Sequence, residues 1–401
     1  MILVTKSFSC GGMNVLLSVG LILIMGMFFG ELFKKLGLPS LIGMLLCGIL
    51  LGPSVFNCLD TSILNISADI RKIALIIILT RAGLNLSIED LRKVGRPAFL
   101  MCFVPACFEI LGMVIAAHLF LGMNLLDSLI LGSVIAAVSP AVVVPKMLKL
   151  MEEGAGTKKG IPQLIMAGAS VDDVFVIALF TSFTSLASES TFSWNHLVNV
   201  PISIISGILG GILVGILIAW IFKKWELNRM MKIIMVLGCS LLMVSLEDKS
   251  GLPFASLIGV MSMGAALQRK SEVNATLLSK DYSKMWIAGE IFLFVLVGAE
   301  IDLQYALTLG FAPIFLILAV LLFRMAGVFI CLLKTNLNMK ERLFCMIAYC
   351  PKATVQAAIG SVPLAMGLTC GQSVLTVAVL SILITAPLGA FAIDKTYQKL
   401  L

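Results

Sequence analysis

Runs of about twenty apolar residues, each ended by a short polar stretch, recur along the whole chain. Each run is long enough to cross a hydrocarbon core of about 30 Å as a helix. The pattern predicts thirteen such helices, near 13–33, 38–56, 70–86, 97–121, 125–149, 161–187, 198–222, 232–246, 253–268, 284–303, 308–333, 343–363 and 372–394. They are numbered here as the first to the thirteenth helix. The fold class expected is an all-α polytopic membrane protein.

The polar stretches test the count. Odd-numbered loops and the C-terminal end hold 22 of the 29 Lys and Arg, while the N-terminal end and even-numbered loops hold Lys6, Arg71, Lys72 and Lys249. Arg81, Arg324 and Lys352 fall within or at the ends of spans. By the positive-inside rule the N-terminus is outside and the C-terminus cytoplasmic. One helix too many or too few would scramble this asymmetry.

Composition agrees. Of 401 residues 60% are hydrophobic and 13% charged, against about a quarter charged in soluble proteins. No cleavable signal is expected, because the first apolar run lacks a basic leader and is followed at once by others. Ten scattered cysteines without a CxxC pair suggest neither zinc nor a disulfide framework. The net charge of +7 belongs to cytoplasmic loops and predicts no nucleic-acid partner.

An internal repeat underlies the pattern. "GLPSLIG" (37–43) returns as "GLPFASLIG" (251–259), with Gly48 and Gly264 five residues after each; "RAGLNL" (81–86) resembles "VGAEIDL" (297–303), and "SPAVVVPK" (139–146) resembles "PKATVQAA" (351–358). The offsets are 214, 216, 215 and 211 residues. Seven helices separate the copies, so equivalent helices run in opposite directions. Inverted repeats of this kind characterise secondary transporters, whose sites lie near the midplane on helices with broken backbones. Pro140 and Pro351, well inside the fifth and twelfth spans, each remove an i→i−4 hydrogen bond. They predict a crossed pair of broken helices.

"ASVDDVF" (169–175) sets Asp172 and Asp173 about 16–18 Å into the sixth helix, at mid-membrane. Intramembrane acids are costly and functional by default. Two carboxylates this close in a low dielectric cannot both ionise freely, and they titrate as one coupled unit. Such a pair suits a site where H⁺ and a small hard cation compete for the same oxygens. Ser139 beside Pro140 could add a hydroxyl or freed carbonyls. Glu109 and Arg324 differ by 215 residues, the repeat offset, so they occupy equivalent places and are expected to form a supporting charge pair; Arg324 could instead turn to Asp172. Lys352 either offsets a half-helix C-terminus or snorkels to the cytoplasmic side. Glu290 either faces a cytoplasmic funnel or is merely interfacial. No role is assigned to His118 or His196.

"RAGLNLSIEDLRKVGRP", "AAVSPAVVVPKML", "KKGIPQLIMAGAS", "ASVDDVF" and "YCPKATVQAAIGSV" together resemble the cation:proton antiporters of the sodium/proton exchanger superfamily. The double-aspartate, NHA-like group with its bacterial members is the nearest match. The resemblance implies a homodimer in the cell (inner) membrane. Its dimerisation domain comes from 1–96 and 232–303, its mobile core from 97–187 and 304–401, and its linker helix from 188–231. It further implies elevator-type exchange of Na⁺ or Li⁺ for H⁺, electrogenic at two protons per sodium. Asp173 is then the chief cation ligand and proton carrier, with Asp172 beside it. No cofactor is implied, and no enzymatic activity. The Arg324 and Ser139 types agree with the NHA-like group, where other double-aspartate antiporters carry lysine and an acid.

Alternatives are K⁺/H⁺ exchange and sodium-coupled symport of an organic anion. Symport needs polar groups spread over both breaks, where this chain offers Ser139, Thr354 and Gln356. An intramembrane aspartyl protease needs acids on facing helices around one water; neighbours on one helix fail that geometry.

Overall fold

The computed structural model describes residues 14–86, 95–188, 194–250 and 254–401. Lys6, Arg92, Lys93 and Gly251 lie outside the described residues, as do the side chains of His196 and Lys249. Helix occupies every one of the thirteen expected stretches. Among the described residues, nine helices are long and apolar enough to cross a membrane. The other four fall short for visible reasons. The second (Ser40–Leu51) and the ninth (Ser256–Lys270) are 12 and 15 residues long. The third (Ser67–Leu84) carries Asp69, Arg71, Lys72 and Arg81. The twelfth is broken into Met339–Ala348 and Thr354–Ile359.

Prolines decide where helices stop. Pro140 opens the second half of the fifth helix (Pro140–Glu152), leaving residues 136–139 outside either half after Leu125–Ile135. Pro351 sits in the gap 350–353 of the twelfth. The fourth helix, expected to run unbroken, is also interrupted: Arg96–Met101 and Val104–Leu121 meet at Cys102–Phe103. Pro105 is the cause, since it has no N–H to offer the carbonyl of Met101, four residues earlier.

The helices assemble as two bodies. The first three and the seventh to tenth pack together; the fourth to sixth and the eleventh to thirteenth form the other. In the first body, glycines let backbones touch. A Cβ on Gly264 would lie 2.8 Å from Leu84 N and 3.0 Å from Gly83 Cα, and one on Gly298 would lie 3.1 Å from Gly48 Cα. Gly48 and Gly264 are repeat equivalents, as are Gly83 and Gly298, so one contact is made twice with partners exchanged. The seventh helix (Trp194–Lys224), expected as a linker, lies flush on the ninth: Gly211 meets the Gly259 backbone, and a Cβ on Gly215 would be 2.5 Å from Met263 O.

The bodies share an apolar core and meet through a few elements. The sixth helix (Ile161–Ser188) meets the ninth through Ala178, Ala255 and Ile258, flanked by Val174 and Ile204. The half-helix Thr354–Ile359 touches the third and tenth. The short connector Leu303–Thr308 is tied to the thirteenth helix, Tyr305 and Ser373 hydroxyls being 2.6 Å apart.

Candidate functional site

Each break frees backbone groups that need partners in a region without water. Pro140 leaves Ala136 O without its helical donor, and Arg324 Nη1 supplies one. Gln356 Nε2 donates to Ile135 O at 3.1 Å and Ala137 O at 2.9 Å, while its Oε1 accepts from Ala353 N at 2.8 Å. Val138 N donates to Asp172 Oδ2 at 2.8 Å. Ser139 N donates to Pro351 O at 2.8 Å, which stitches one break directly to the other. Lys352 N donates to Thr385 Oγ1 at 2.9 Å on the thirteenth helix (Gly371–Leu400).

Charge is arranged around these gaps. Arg324, in the eleventh helix (Ala312–Cys331), is fully buried and fully engaged. Its Nη1 lies 2.7 Å from Glu109 Oε2, its Nη2 2.8 Å from Asp172 Oδ2, and its Nε donates to Tyr349 O at 2.5 Å. The two pairings weighed from sequence, Glu109 and Asp172, occur at once. Glu109 also accepts from Lys352 Nζ at 2.6 Å. Lys352 is 0% exposed, which overturns the snorkelling reading: its ammonium turns inward to a carboxylate instead of outward to the interface.

The adjacent aspartates therefore differ. Asp172 is held by an arginine and a backbone amide. Asp173 is 8% exposed, and among the described residues it makes no hydrogen bond or ion pair. Its Oδ1, Asp172 Oδ1 and Ser139 Oγ are buried oxygens without hydrogen-bond partners. Neighbours on a helix point about 100° apart, so one side chain braces the broken helices while the other stays available. Such oxygens are hard ligands of the kind small cations take. Thr354, 4% exposed, and Gln356, 0% exposed, belong to the second break; the Gln356 amide is spent on backbone, which removes it as a ligand for an organic anion.

Sequence reasoning missed three contributors. Lys352 as Glu109's second partner was hidden because the repeat offset pairs Glu109 with Arg324 alone. Gln356 sits three residues after Ala353, the spacing of a capping side chain, and that signal was legible. Tyr349 gave no signal beyond being polar in an apolar run. Glu290 faces Arg81 electrostatically across the tenth (Glu272–Ala299) and third helices, and a second link, Arg71 Nη1 to Glu300 Oε2 at 2.6 Å, joins the same pair of helices. His118 Nδ1 lies 3.2 Å from Met123 O and takes no part in the charged cluster.

Comparison with known proteins places these features. The family model described as "Sodium/hydrogen exchanger, transmembrane" matches residues 19–396. The chain is 36% identical to sodium/hydrogen exchanger 9B2 of Xenopus tropicalis over 391 residues, 93% of this chain and 72% of that one. It is 34% identical to the human 9B2 protein and 32% to human 9B1, each over 91% of this chain and covering 70% and 73% of those chains. The sodium proton antiporter MjNhaP1 of Methanocaldococcus jannaschii, solved at pH 8, has a similar fold: TM-score 0.79, 21% identity, 95% of this chain and 97% of that one.

Proposed function

The chain belongs to the sodium/hydrogen exchanger family, and from that premise we propose that it exchanges Na⁺ or Li⁺ for H⁺ across the cell (inner) membrane, with Asp173 as the carrier of both. The observation that carries this is the contrast within one dipeptide. Asp172 is committed to Arg324 and Val138 N, whereas Asp173 is buried beside two broken helices with nothing bound to it. A carboxylate so placed is balanced by a proton or by a metal cation but not by both, and that competition is the exchange.

The charge count supports a stoichiometry. Glu109, Asp172 and Asp173 face Arg324 and Lys352, three carboxylates to two cations, so one negative charge is unbalanced when all are ionised. One sodium or one proton neutralises it. Two protons per cation, as the double-aspartate resemblance implies, require Asp172 to leave Arg324 or Lys352 to give up its proton. An imposed potential separates the cases: two-for-one exchange is biased by about 2.3 kcal/mol per 100 mV, whereas one-for-one exchange is indifferent to it.

Alternating access proceeds by the body carrying the breaks sliding against the other. The sparse, apolar contact between Val174, Ala178, Ala255 and Ile258 supports that motion. All thirteen helices cross the bilayer, with the N-terminus outside and the first body forming a homodimer scaffold in lipid. The test is proton flux in proteoliposomes on addition of Na⁺, Li⁺ or K⁺. The parent responds to Na⁺ or Li⁺, and Asp173→Asn does not. Full residual exchange in Asp173→Asn overturns the assignment.

A further inference from the structure

Tyr349 is a large, fully buried side chain that the exchange chemistry does not itself use. It ends the first half of the twelfth helix, and three parts of the core converge on it. Its carbonyl accepts from Arg324 Nε at 2.5 Å, and its ring lies under the guanidinium, 4.9 Å from centroid to Cζ. Its hydroxyl donates at 3.0 Å to Met101 O, the carbonyl released by Pro105 where the fourth helix is interrupted. The sixth helix leans on the same hydroxyl through Gly168, where a Cβ would stand 2.6 Å from the phenol oxygen and 2.9 Å from Met101 Cβ.

Gly168 and Asp172 are four residues apart and share one helix face. The distance at which the sixth helix rests on Tyr349 therefore sets the distance from Asp172 to Arg324. The guanidinium is bonded to Asp172 and acts on Asp173 only electrostatically; it would compete with a cation only if it turned to the second carboxylate. We propose that Tyr349 is a positioning residue that confines Arg324 to Asp172 and Glu109, and so keeps Asp173 open to the transported ion. Its hydroxyl clamps the interrupted fourth helix, its ring and carbonyl orient the arginine, and Gly168 seats the sixth helix against it. This rests on Asp173 being the carrier.

The experiment uses full-length protein in proteoliposomes and measures initial rates against Na⁺ concentration. Tyr349→Phe keeps the ring and removes only the bond to Met101 O. Gly168→Ala keeps the tyrosine and pushes the sixth helix off its hydroxyl. Each raises the apparent KM for Na⁺ about five-fold, the net worth of one hydrogen bond, with a smaller effect on Vmax. The double variant Gly168→Ala/Tyr349→Phe has a KM below the product of the two single effects, because the clashing hydroxyl is gone. Rates are compared at equal amounts of protein that elutes as one species and melts cooperatively; if Tyr349→Phe does not fold, Gly168→Ala alone carries the test. A parent-like KM in Tyr349→Phe, or in Gly168→Ala where that stands alone, or strictly multiplicative effects in the double variant, overturn the assignment. A parent without Na⁺-driven flux overturns the proposed exchange instead.

Discussion

Glu109 is the residue on which two cations depend. Arg324 and Lys352 both bind its Oε2, at 2.7 and 2.6 Å, with every partner fully buried. Removing one member of a buried ionic cluster is strongly destabilising, about 3–5 kcal/mol, because the remaining charges lose their balance. Glu109→Ala is therefore expected to lower the melting temperature more than Lys352→Ala, since it strips Lys352 of its carboxylate and leaves Arg324 with the Asp172 carboxylate alone. Glu109→Ala/Lys352→Ala costs less than the two single changes together, a coupling of about 0.5–3 kcal/mol read by thermal melting. Asp172→Asn damages the brace and lowers stability, while Asp173→Asn leaves stability near the parent value and removes transport; melting and flux assays on the same preparations separate the two. At this scale the sequence made the acids and Arg324 legible, because a charge in an apolar run stands out. Spacing alone did not say which aspartate was committed, although the family resemblance assigned the ion to Asp173. That choice depends on the non-helical 136–139 segment presenting Val138 N to Asp172 and Ala136 O to Arg324.

Among elements, proline explains more than the count of helices does. Ala136 and Met101 lie four residues before Pro140 and Pro105, and each loses its helical donor. Each is recovered by a polar side chain from a distant helix, Arg324 and Tyr349. Pro140 and Pro351 were legible as breaks because they recur at matching places in the repeat. Pro105 was equally visible but has no repeat counterpart, so the interruption of the fourth helix went unread. The short second and ninth helices remained legible through the repeated "GLP" and glycine spacing in spite of their length. Gln356→Leu removes an amide that serves two carbonyls of the fifth helix, and each carbonyl left unpaired costs about 1–3 kcal/mol. The expected outcome is a large loss of thermal stability, with hydrogen exchange rising first around 125–140. Replacement of Gly48 by Val inserts a side chain where a Cβ would already meet the Val295 backbone, and is expected to abolish folded protein on size-exclusion chromatography.

For the molecule as a whole, the two-body division follows from the repeat. Each half's second helix packs on the other half's third, Gly48 against Gly298 and Gly264 against Gly83, so the first body draws on both halves of the chain. The seventh helix, expected as a linker, is packed along the ninth through its glycines. Tyr305–Ser373 ties the connector after the tenth helix to the thirteenth. Tyr305→Phe is expected to shift the balance between access states about five-fold, the worth of one hydrogen bond, read as altered hydrogen exchange in the sixth helix with parent-like melting.

The contact of Val174 and Ala178 with Ala255 and Ile258 has a kinetic consequence. On the sliding motion proposed above, methyl groups glide over methyl groups at this contact and leave no charge bare, so the drag of the surrounding acyl chains is the expected resistance. Turnover at saturating cation should then follow bilayer viscosity, falling as the lipids stiffen, and be nearly indifferent to ionic strength.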